Sequence, residues 1–590
     1  MPLIVQKFGG SSVADTQKIL GAARKAIRAA QSGNQVVVVV SAMGKTTNQL
    51  IALAHEITDR PSSREMDMLM ASGEQVSIAL FAIALQSLGY EAVSMTAAQL
   101  GIKTDSSHTR ARIKSISTER MKKALSEGKI VIAAGFQGID DEGDLTTLGR
   151  GGSDTSAVAL AAALGADECE IYTDVDGIYT TDPRILPEAR KVERIAYDEM
   201  LELASLGAGV MHSRSIEFAK RFNVPVQVRS SFSDIPGSLI VAEPESGDPV
   251  TGAAIAKNEA RFTVIGIPDK PGNAMRLFAK IAEAKIPTDM IVQNIGVEGR
   301  ADLSFTVPAA DQLAAFDVVN AVVREVGATG VSAQDDVAKV SVVGLGMETQ
   351  SGVAQKMFRA IADKGINVQM ITTSEIKIST LVARNDAPEA LRAVHSAFDL
   401  HHPPKNIQPL KETKAQAKLE GHDLDVSRLT GMEDIIIESI NCDREQARIT
   451  VAALPDKPGV AAEMFERIAA AGILVDMIVQ SCGREEQAMI SFTVPRSSLK
   501  KALDVATALA KEWGSAVPLH NPKIAILSVH GTGLRSHTGL AYRMFKTLAD
   551  GGINVNIVST SERNIGISVN DESGEKGLEL LKKEFATEMM

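Results

Sequence analysis

The stretch Leu3-Ile4-Val5-Gln6-Lys7-Phe8-Gly9-Gly10-Ser11-Ser12 decides how the first half of this 590-residue chain is read. A short apolar strand, Leu3-Ile4-Val5, runs into one lysine, a double glycine and two hydroxyls, and a helix-like pattern follows from Val13 to Ala30. Glycine has no Cβ, so its backbone can approach a ligand closely and aim N–H groups at it. A helix N-terminus beyond the loop adds partial positive charge, which suits phosphate, and the lysine adds a full charge on a flexible stem. Strand, lysine, glycines and helix together make a candidate phosphate cradle. It is not the usual P-loop, because the lysine precedes the glycines. An ordinary βα turn that uses glycine only for its geometry has the same appearance.

Working outward, Val36 to Val40 is an unbroken β-branched run, the mark of a strand buried on both faces of a parallel sheet. It ends in the small polar loop Ser41-Ala42-Met43-Gly44-Lys45-Thr46-Thr47. Ile130–Ala134, Cys169–Thr173 and Val226–Arg229 are further buried-strand candidates, with Ala-rich helices between them such as Ser153 to Leu164. Alternation of this kind over about 245 residues predicts a layered α/β domain with a mostly parallel sheet. Ligands in such sheets sit at the carboxyl ends of the strands, where the polar Gly-rich loops are expected.

Composition narrows the class. A hydrophobic content of 45% and a charged content of 23% are those of an ordinary globular protein. The net charge of −11 argues against a nucleic-acid binder. No apolar run approaches the roughly 20 residues of a membrane span, and the apolar start is too short for a signal peptide. Three cysteines, Cys169, Cys442 and Cys482, have no metal-ligand spacing and build no disulfide framework. A reducing cytoplasm is the simplest compartment.

The rest of the chain repeats itself. Pro268-Asp269-Lys270-Pro271-Gly272 recurs as Pro455-Asp456-Lys457-Pro458-Gly459, 187 residues later. The same offset carries Asp289-Met290-Ile291-Val292-Gln293 onto Asp476-Met477-Ile478-Val479-Gln480, Gly365-Ile366-Asn367-Val368 onto Gly552-Ile553-Asn554-Val555, and Ser374-Glu375 onto Ser561-Glu562. Each block is itself doubled: strand, Gly-containing turn, amphipathic helix, second strand. Met275, Phe278, Ile281 and Ala282 fall at helical spacing, as do Val353, Met357, Phe358 and Ile361. The expectation is one domain at 1–245, then four small α+β units at 250–335, 336–400, 433–519 and 520–590 in two tandem pairs. A polar linker at 401–432 holds His401-His402, read as solvated.

Three more stretches of the first domain could carry chemistry. Gly149-Arg150-Gly151-Gly152-Ser153-Asp154 opens a helix, and its arginine offers a planar fork for a carboxylate or phosphate. A capped helix after a turn would use the same residues. Tyr172 to Arg184 (Tyr-Thr-Asp-Val-Asp-Gly-Ile-Tyr-Thr-Thr-Asp-Pro-Arg) combines acids, an aromatic and an arginine in a mix suited to a nucleotide, or to a plain surface loop. Ser72-Gly73-Glu74 offers a carboxylate for a substrate ammonium, although a lone glutamate is usually a solvated charge.

Lys-Phe-Gly-Gly-Ser-Ser, Gly-Arg-Gly-Gly-Ser-Asp and the Tyr172–Arg184 motif, in this order, resemble the aspartate kinase family, which has the amino-acid kinase fold. The tandem units resemble ACT domains, βαββαβ modules that sense amino acids, and four of them resemble the long cyanobacterial-type form. The resemblance implies ATP-dependent phosphorylation of the side-chain carboxylate of L-aspartate, the first step toward lysine, threonine and methionine. It implies Lys7 and Asp154 as catalytic residues, and Ser41, Thr47, Glu74, Arg150 and Ser153 as aspartate ligands. Lys7, Gly9, Gly10, Ser11, Thr173, Asp174, Tyr179 and Arg184 would hold ATP, with Mg²⁺ bound through phosphates and water and no protein metal ligand. Some relatives carry a nucleotide-contacting lysine where this chain has Gly209.

For the tandem units the resemblance implies an effector, lysine and/or threonine, at the interface of two units. In the first block the residues are Asp269, Gly272, Asp289, Gln293, Asn294, Ser351, Asn367, Ser374 and Glu375. In the second they are Asp456, Gly459, Asp476, Gln480, Ser481, Thr538, Asn554, Ser561 and Glu562. Assembly as a homodimer or larger through the ACT domains is implied as well. Another amino-acid kinase and a non-catalytic amino-acid sensor are the alternatives. Gly344-Leu345-Gly346 lacks the third glycine of a dinucleotide turn and belongs to the repeat.

Overall fold

The computed structural model describes residues 1–207, 210–295, 299–348, 350, 352–409, 431–482, 487–534 and 539–589. Val36 to Val40 lie in an eight-stranded sheet, flanked by Leu3–Phe8 and Ile130–Ala134. The full order is Arg194–Ala196, Ser238–Val241, Val226–Ser230, Glu168–Thr173, Leu3–Phe8, Gln35–Val40, Ile130–Ala134, Ala92–Met95. All neighbours run parallel except Val226–Ser230 with Ser238–Val241. The valines are buried on both faces because helices cover both. Val37 and Val39 pack with helix Gly152–Leu164, whereas Val36, Val38 and Val40 pack with helices Thr16–Gln31 and Ser63–Ser87.

Two local expectations need correction. The helix does not start at Val13: Gly10–Val13 is a separate 3-10 turn, and the helix begins at Thr16, where Asp15 accepts the Lys18 N–H. The helix dipole invoked for the cradle therefore begins one turn further along the chain. The Gly149–Gly152 loop does not follow a strand of the main sheet either. It follows Leu145–Thr147 in a separate four-stranded sheet with Ile113–Ile116, Ile102–Thr104 and Gln137–Ile139.

Helix Ser63–Ser87 is, by length and composition alone, apolar enough to cross a bilayer. Its inner side, with Ile78, Phe81 and Leu85, packs on the sheet, which accounts for that composition in a core helix.

The repeats build one twelve-stranded antiparallel sheet. In order, it runs Asp289–Ile295, Arg300–Pro308, Gly252–Pro268, Gly330–Val343, Lys377–Ala383, Met370–Thr373, Ile478–Cys482, Gln487–Pro495, Ile436–Pro455, Leu519–Thr532, Asn564–Asn570, Ile557–Thr560. The two end strands lie side by side, so the sheet nearly closes on itself and little edge is left open. Its interior is apolar, with Met290, Val337, Met370, Met477 and Ile526 among others. Long strands serve two units at once. Gly252–Ala256 pairs with Lys339–Val343, and Arg261–Ile265 pairs with Gly330–Gln334.

The units are tandem along the chain but meet crosswise. Phe278 of the first unit stacks with Phe545 of the fourth at 5.7 Å, and Phe358 of the second meets Phe465 of the third at 5.7 Å. The strand Met370–Thr373 is bonded directly to Ile478–Cys482. Each interface between facing units therefore draws on both blocks, not on one.

Candidate active site

Lys7 lies next to last in its strand, with the sheet on both sides, and its ammonium reaches Asp154 of helix Gly152–Leu164 at 2.6 Å. Both side chains are nearly buried. The next turn has no room for side chains. A Cβ on Gly9 would lie 3.3 Å from the Lys7 Nζ, and one on Gly10 would meet the Ala42 carbonyl at 2.9 Å. The Gly10 carbonyl accepts the Gly44 N–H, and the Ser41 hydroxyl donates to Ser153 at 2.8 Å. The Lys7, Ser41 and Ser153 segments thus form one tightly joined floor.

Above it opens a cavity of about 1020 Å³. Lys7, Gly9, Gly10, Ser41, Thr47, Glu74, Arg150, Ser153 and Asp154 all line it, so it gathers both proposed catalytic residues and all five proposed aspartate ligands. Glu74 is not the solvated charge that a lone glutamate usually is. It is 2% exposed, and one carboxylate oxygen accepts the Ala42 N–H at 2.9 Å while the other has no hydrogen-bond partner among the described residues. Burial pushes its pKa up to about 7. Such a carboxylate can take an ammonium. Arg150 is exposed, its guanidinium available to a ligand.

The proposed nucleotide residues Ser11, Thr173, Asp174, Tyr179 and Arg184 do not line this cavity. The strand that ends at Thr173 lies on the other side of the Lys7 strand, where the Gly9 N–H meets the Tyr172 carbonyl and the Ser12 hydroxyl contacts Ser231. The Thr173 hydroxyl donates to Asp174; Tyr179, in a separate two-stranded sheet, donates to Asp176, and Arg184 is paired with Asp182 and largely exposed. Gly209 lies outside the described residues.

Sequence reasoning missed the cavity's outer wall. His212, its pKa lowered chiefly by burial, sits against the glycine loop: a Cβ on Gly151 would come within 2.3 Å of the His212 Cβ. Arg214 donates to the carbonyls of Leu148 and Ala111 and pairs with Glu433 at 2.7 Å. Met432, Glu433 and Asp434 line the cavity from the end of the linker. No local motif marks these contacts, because the partners lie 66, 103 and 219 residues from Arg214. Within the linker itself, 410–430 fall outside the described residues, and the His401 and His402 rings lie 4.0 Å apart.

Each crosswise interface holds two cavities. Between the first and fourth units, Asp269, Gly272, Gln293 and Asn554 line one of about 20 Å³, closed by Asn554 donating to Asp269 at 2.7 Å. Between the second and third, Asn367, Asp456, Gly459 and Gln480 line its counterpart, closed by Asn367 donating to Asp456 at 2.7 Å. The other two cavities differ sharply. Asp289 and Ser561 line one of about 90 Å³; Ser374, Glu375 and Asp476 line one of about 720 Å³. In the first, Asp289 meets the buried Lys339 ammonium at 2.5 Å, with Glu259 at 3.2 Å on the same ammonium. The repeat places Ile526 and Gln446 where Lys339 and Glu259 stand. Among the described residues Asp476 meets no such cation, and burial pushes its pKa up to about 6. Ser481 lies on the strand bonded to Met370, and Glu562 is buried against the first domain. Ser351, Thr538 and the Asn294 side chain lie outside what the structure describes.

Fold and site together define a kinase of the amino acid kinase family, whose match spans residues 2–230, followed by ACT domains matched at 340–398, 449–508 and 527–585. An aspartate kinase of Pseudomonas putida is 49% identical over 406 residues, 68% of this chain and 99% of that protein. The crystal structure of aspartate kinase from Synechocystis is 39% identical and is matched over 99% of this chain and 98% of that one, with a TM-score of 0.52. E. coli aspartokinase III is 26% identical over 67% of this chain and 99% of that one. Its complex with aspartate and ADP (R-state) matches with a TM-score of 0.57, and its complex with lysine and aspartate (T-state) with 0.54. The chain belongs to the aspartate kinase family.

Proposed function

We propose that this chain transfers the γ-phosphoryl group of ATP to the side-chain carboxylate of L-aspartate, giving 4-phospho-L-aspartate and ADP. The observation that carries this reading is the Lys7–Asp154 pair in one cavity with the unpartnered oxygen of Glu74 and the exposed Arg150. Glu74 takes the ammonium of aspartate, and Arg150 clamps its α-carboxylate. The attacking carboxylate is already ionised at neutral pH, so no general base is needed. Its oxygen bonds to the γ-phosphorus as the bond to the ADP oxygen breaks. Lys7, held by Asp154, neutralises charge on the moving group, and the N–H groups of Gly9 and Gly10 add donors. Ser41, Thr47 and Ser153 orient the acceptor.

Ser11, Thr173, Asp174, Tyr179 and Arg184 hold the nucleotide from the far side of the Lys7 strand. Mg²⁺, held by phosphates and water, would come with ATP and would supply screening of its phosphate charge. The protein's one group of clustered His and Asp side chains among the described residues, His108, Asp140 and Asp144, includes no residue of the cavity lining.

Lysine, threonine or both bind the crosswise ACT interfaces. E. coli aspartokinase III has been crystallised with lysine. An amino acid entering at Asp269 or Asp456 replaces the Asn554 or Asn367 amide that now closes the site. The chain works in the cytoplasm as a homodimer or larger assembly. An apolar stripe, Met68, Val76 and Ile83, is exposed on the outer side of helix Ser63–Ser87 and fits such a contact. A coupled ADP-release assay across aspartate, glutamate and acetylglutamate, repeated with lysine and threonine separately and together, tests the reading. Turnover on aspartate that falls with an effector supports it; turnover on another acceptor alone contradicts it.

A further inference from the structure

One helix of the kinase domain, Tyr197–Ser205, sends three acidic side chains into the regulatory half. Asp198 pairs with Lys220 at 2.9 Å and lies 3.6 Å from Arg563. Glu199 accepts from the Thr251 hydroxyl at 2.6 Å and the Leu345 N–H at 3.0 Å. Glu202 is fully buried. It accepts the Glu562 N–H at 2.8 Å and pairs with the Lys377 ammonium, also buried, at 2.8 Å.

These two grips come from repeat-related turns. Ser374-Glu375, just before Lys377, and Ser561-Glu562 are 187 residues apart and occupy the same place in the second and fourth ACT units. Ser374 and Glu375 line the cavity of the second and third units, whereas Ser561 lines that of the first and fourth, which Lys377 also borders, and the two segments hold one carboxylate. A buried carboxylate that loses a grip is costly, so the helix follows where the two turns go. That helix packs on Ser213–Phe222, and His212, which precedes the second helix, lies on Gly151 beside Arg150.

We propose that Glu202 is the positioning residue through which both effector interfaces act on the aspartate-binding loop. The proposal rests on the effector reading above. Movement at either turn shifts the Glu202 helix, and His212 carries that shift to the Gly149–Gly152 loop. The two effectors thus share one element, and their couplings to aspartate are not independent.

The test uses the full chain. Calorimetry gives the Kd of lysine and of threonine with and without saturating L-aspartate plus ADP, and the ratio of the two values measures coupling. For each effector that binds wild type, a ratio of about 5 to 150 is expected. In Glu202→Gln both ratios fall toward 1, while kcat without effector stays within about threefold of wild type. Glu202→Gln removes the carboxylate opposite Lys377, so the double variant with Lys377→Met, which buries neither charge, is measured alongside and should behave the same. Unchanged ratios in both variants overturn the proposal, and loss for one effector only overturns the convergence. If wild type binds neither effector, the effector reading itself fails and takes the proposal with it, an outcome visible before any variant is made.

Discussion

Glu74 and Asp476 are two acids that burial treats alike and that do different work. Glu74 has to be ionised to hold an ammonium, and its pKa stands at about 7 in the ligand-free cavity. kcat/KM for aspartate should therefore rise with pH through about 7, following the free enzyme. Glu74→Gln should raise KM and remove that rise; a flat wild-type profile between pH 6 and 8 would contradict the assignment. Asp476 contributes in the opposite sense. Its folded pKa of about 6 lies above the ordinary aspartate value, so the fold takes up a proton. Its contribution to stability is greatest below about pH 4 and is lost as pH rises through about 6. Asp476→Asn should match wild type near pH 4 and exceed it above pH 6 by at most about 3 kcal/mol, read from denaturant unfolding at each pH. No gain at pH 7 would show that Asp476 is solvated or paired. Neither acid could be identified as buried from sequence, where Glu74 is a lone charge and Asp476 looks the same as its repeat mate Asp289. The lysine motif was legible there because it combines a strand, a charge and two glycines within the eight residues Leu3 to Gly10.

At the scale of elements, the strands that bear the Lys7 and Thr173 loops and the helix after Arg150 were legible because β-branched runs and Ala-rich helices have distinct patterns, whereas the short strand Leu145–Thr147 ahead of Arg150 was not. The start of the first helix was not, since Gly10–Val13 turns tightly before Asp15 caps the helix. The repeat also concealed a difference that packing exposes. In strand Gly330–Val343, Lys339 turns inward between Asp289 and Glu259, whereas the equivalent strand Leu519–Thr532 carries Ile526. Removing the cation from between two buried carboxylates costs far more than removing an exposed one. Lys339→Met should lower the unfolding free energy of the regulatory half by about 3–5 kcal/mol, measured by urea titration followed by circular dichroism. A loss under about 1 kcal/mol would mean that the site is wet and the pair is worth no more than a surface bridge.

Across the whole molecule, the arrangement of the units was not legible, because tandem and crosswise pairing bury the same apolar faces. The structure selects crosswise packing, with Phe278 on Phe545 and Phe358 on Phe465. The P. putida relative matches about two thirds of this chain, and the second block here covers faces that a shorter chain would leave open. A 1–400 fragment should therefore self-associate through those faces; a monomer at micromolar concentration in sedimentation equilibrium would contradict crosswise packing as a source of stability. The far end of the linker makes the two halves one machine, since Glu433 pairs with Arg214 at the wall of the kinase cavity. What unites these scales is the claim that Lys7, held by Asp154, stabilises a phosphoryl group moving to aspartate. Its most direct test is aspartate-dependent ADP release from MgATP by wild type and Lys7→Ala under saturating substrates. The expected result is turnover in wild type and a kcat lower by about 10²–10³ in the variant, with KM for aspartate little changed. Near-normal kcat in Lys7→Ala, or no aspartate-dependent turnover in wild type, would contradict it.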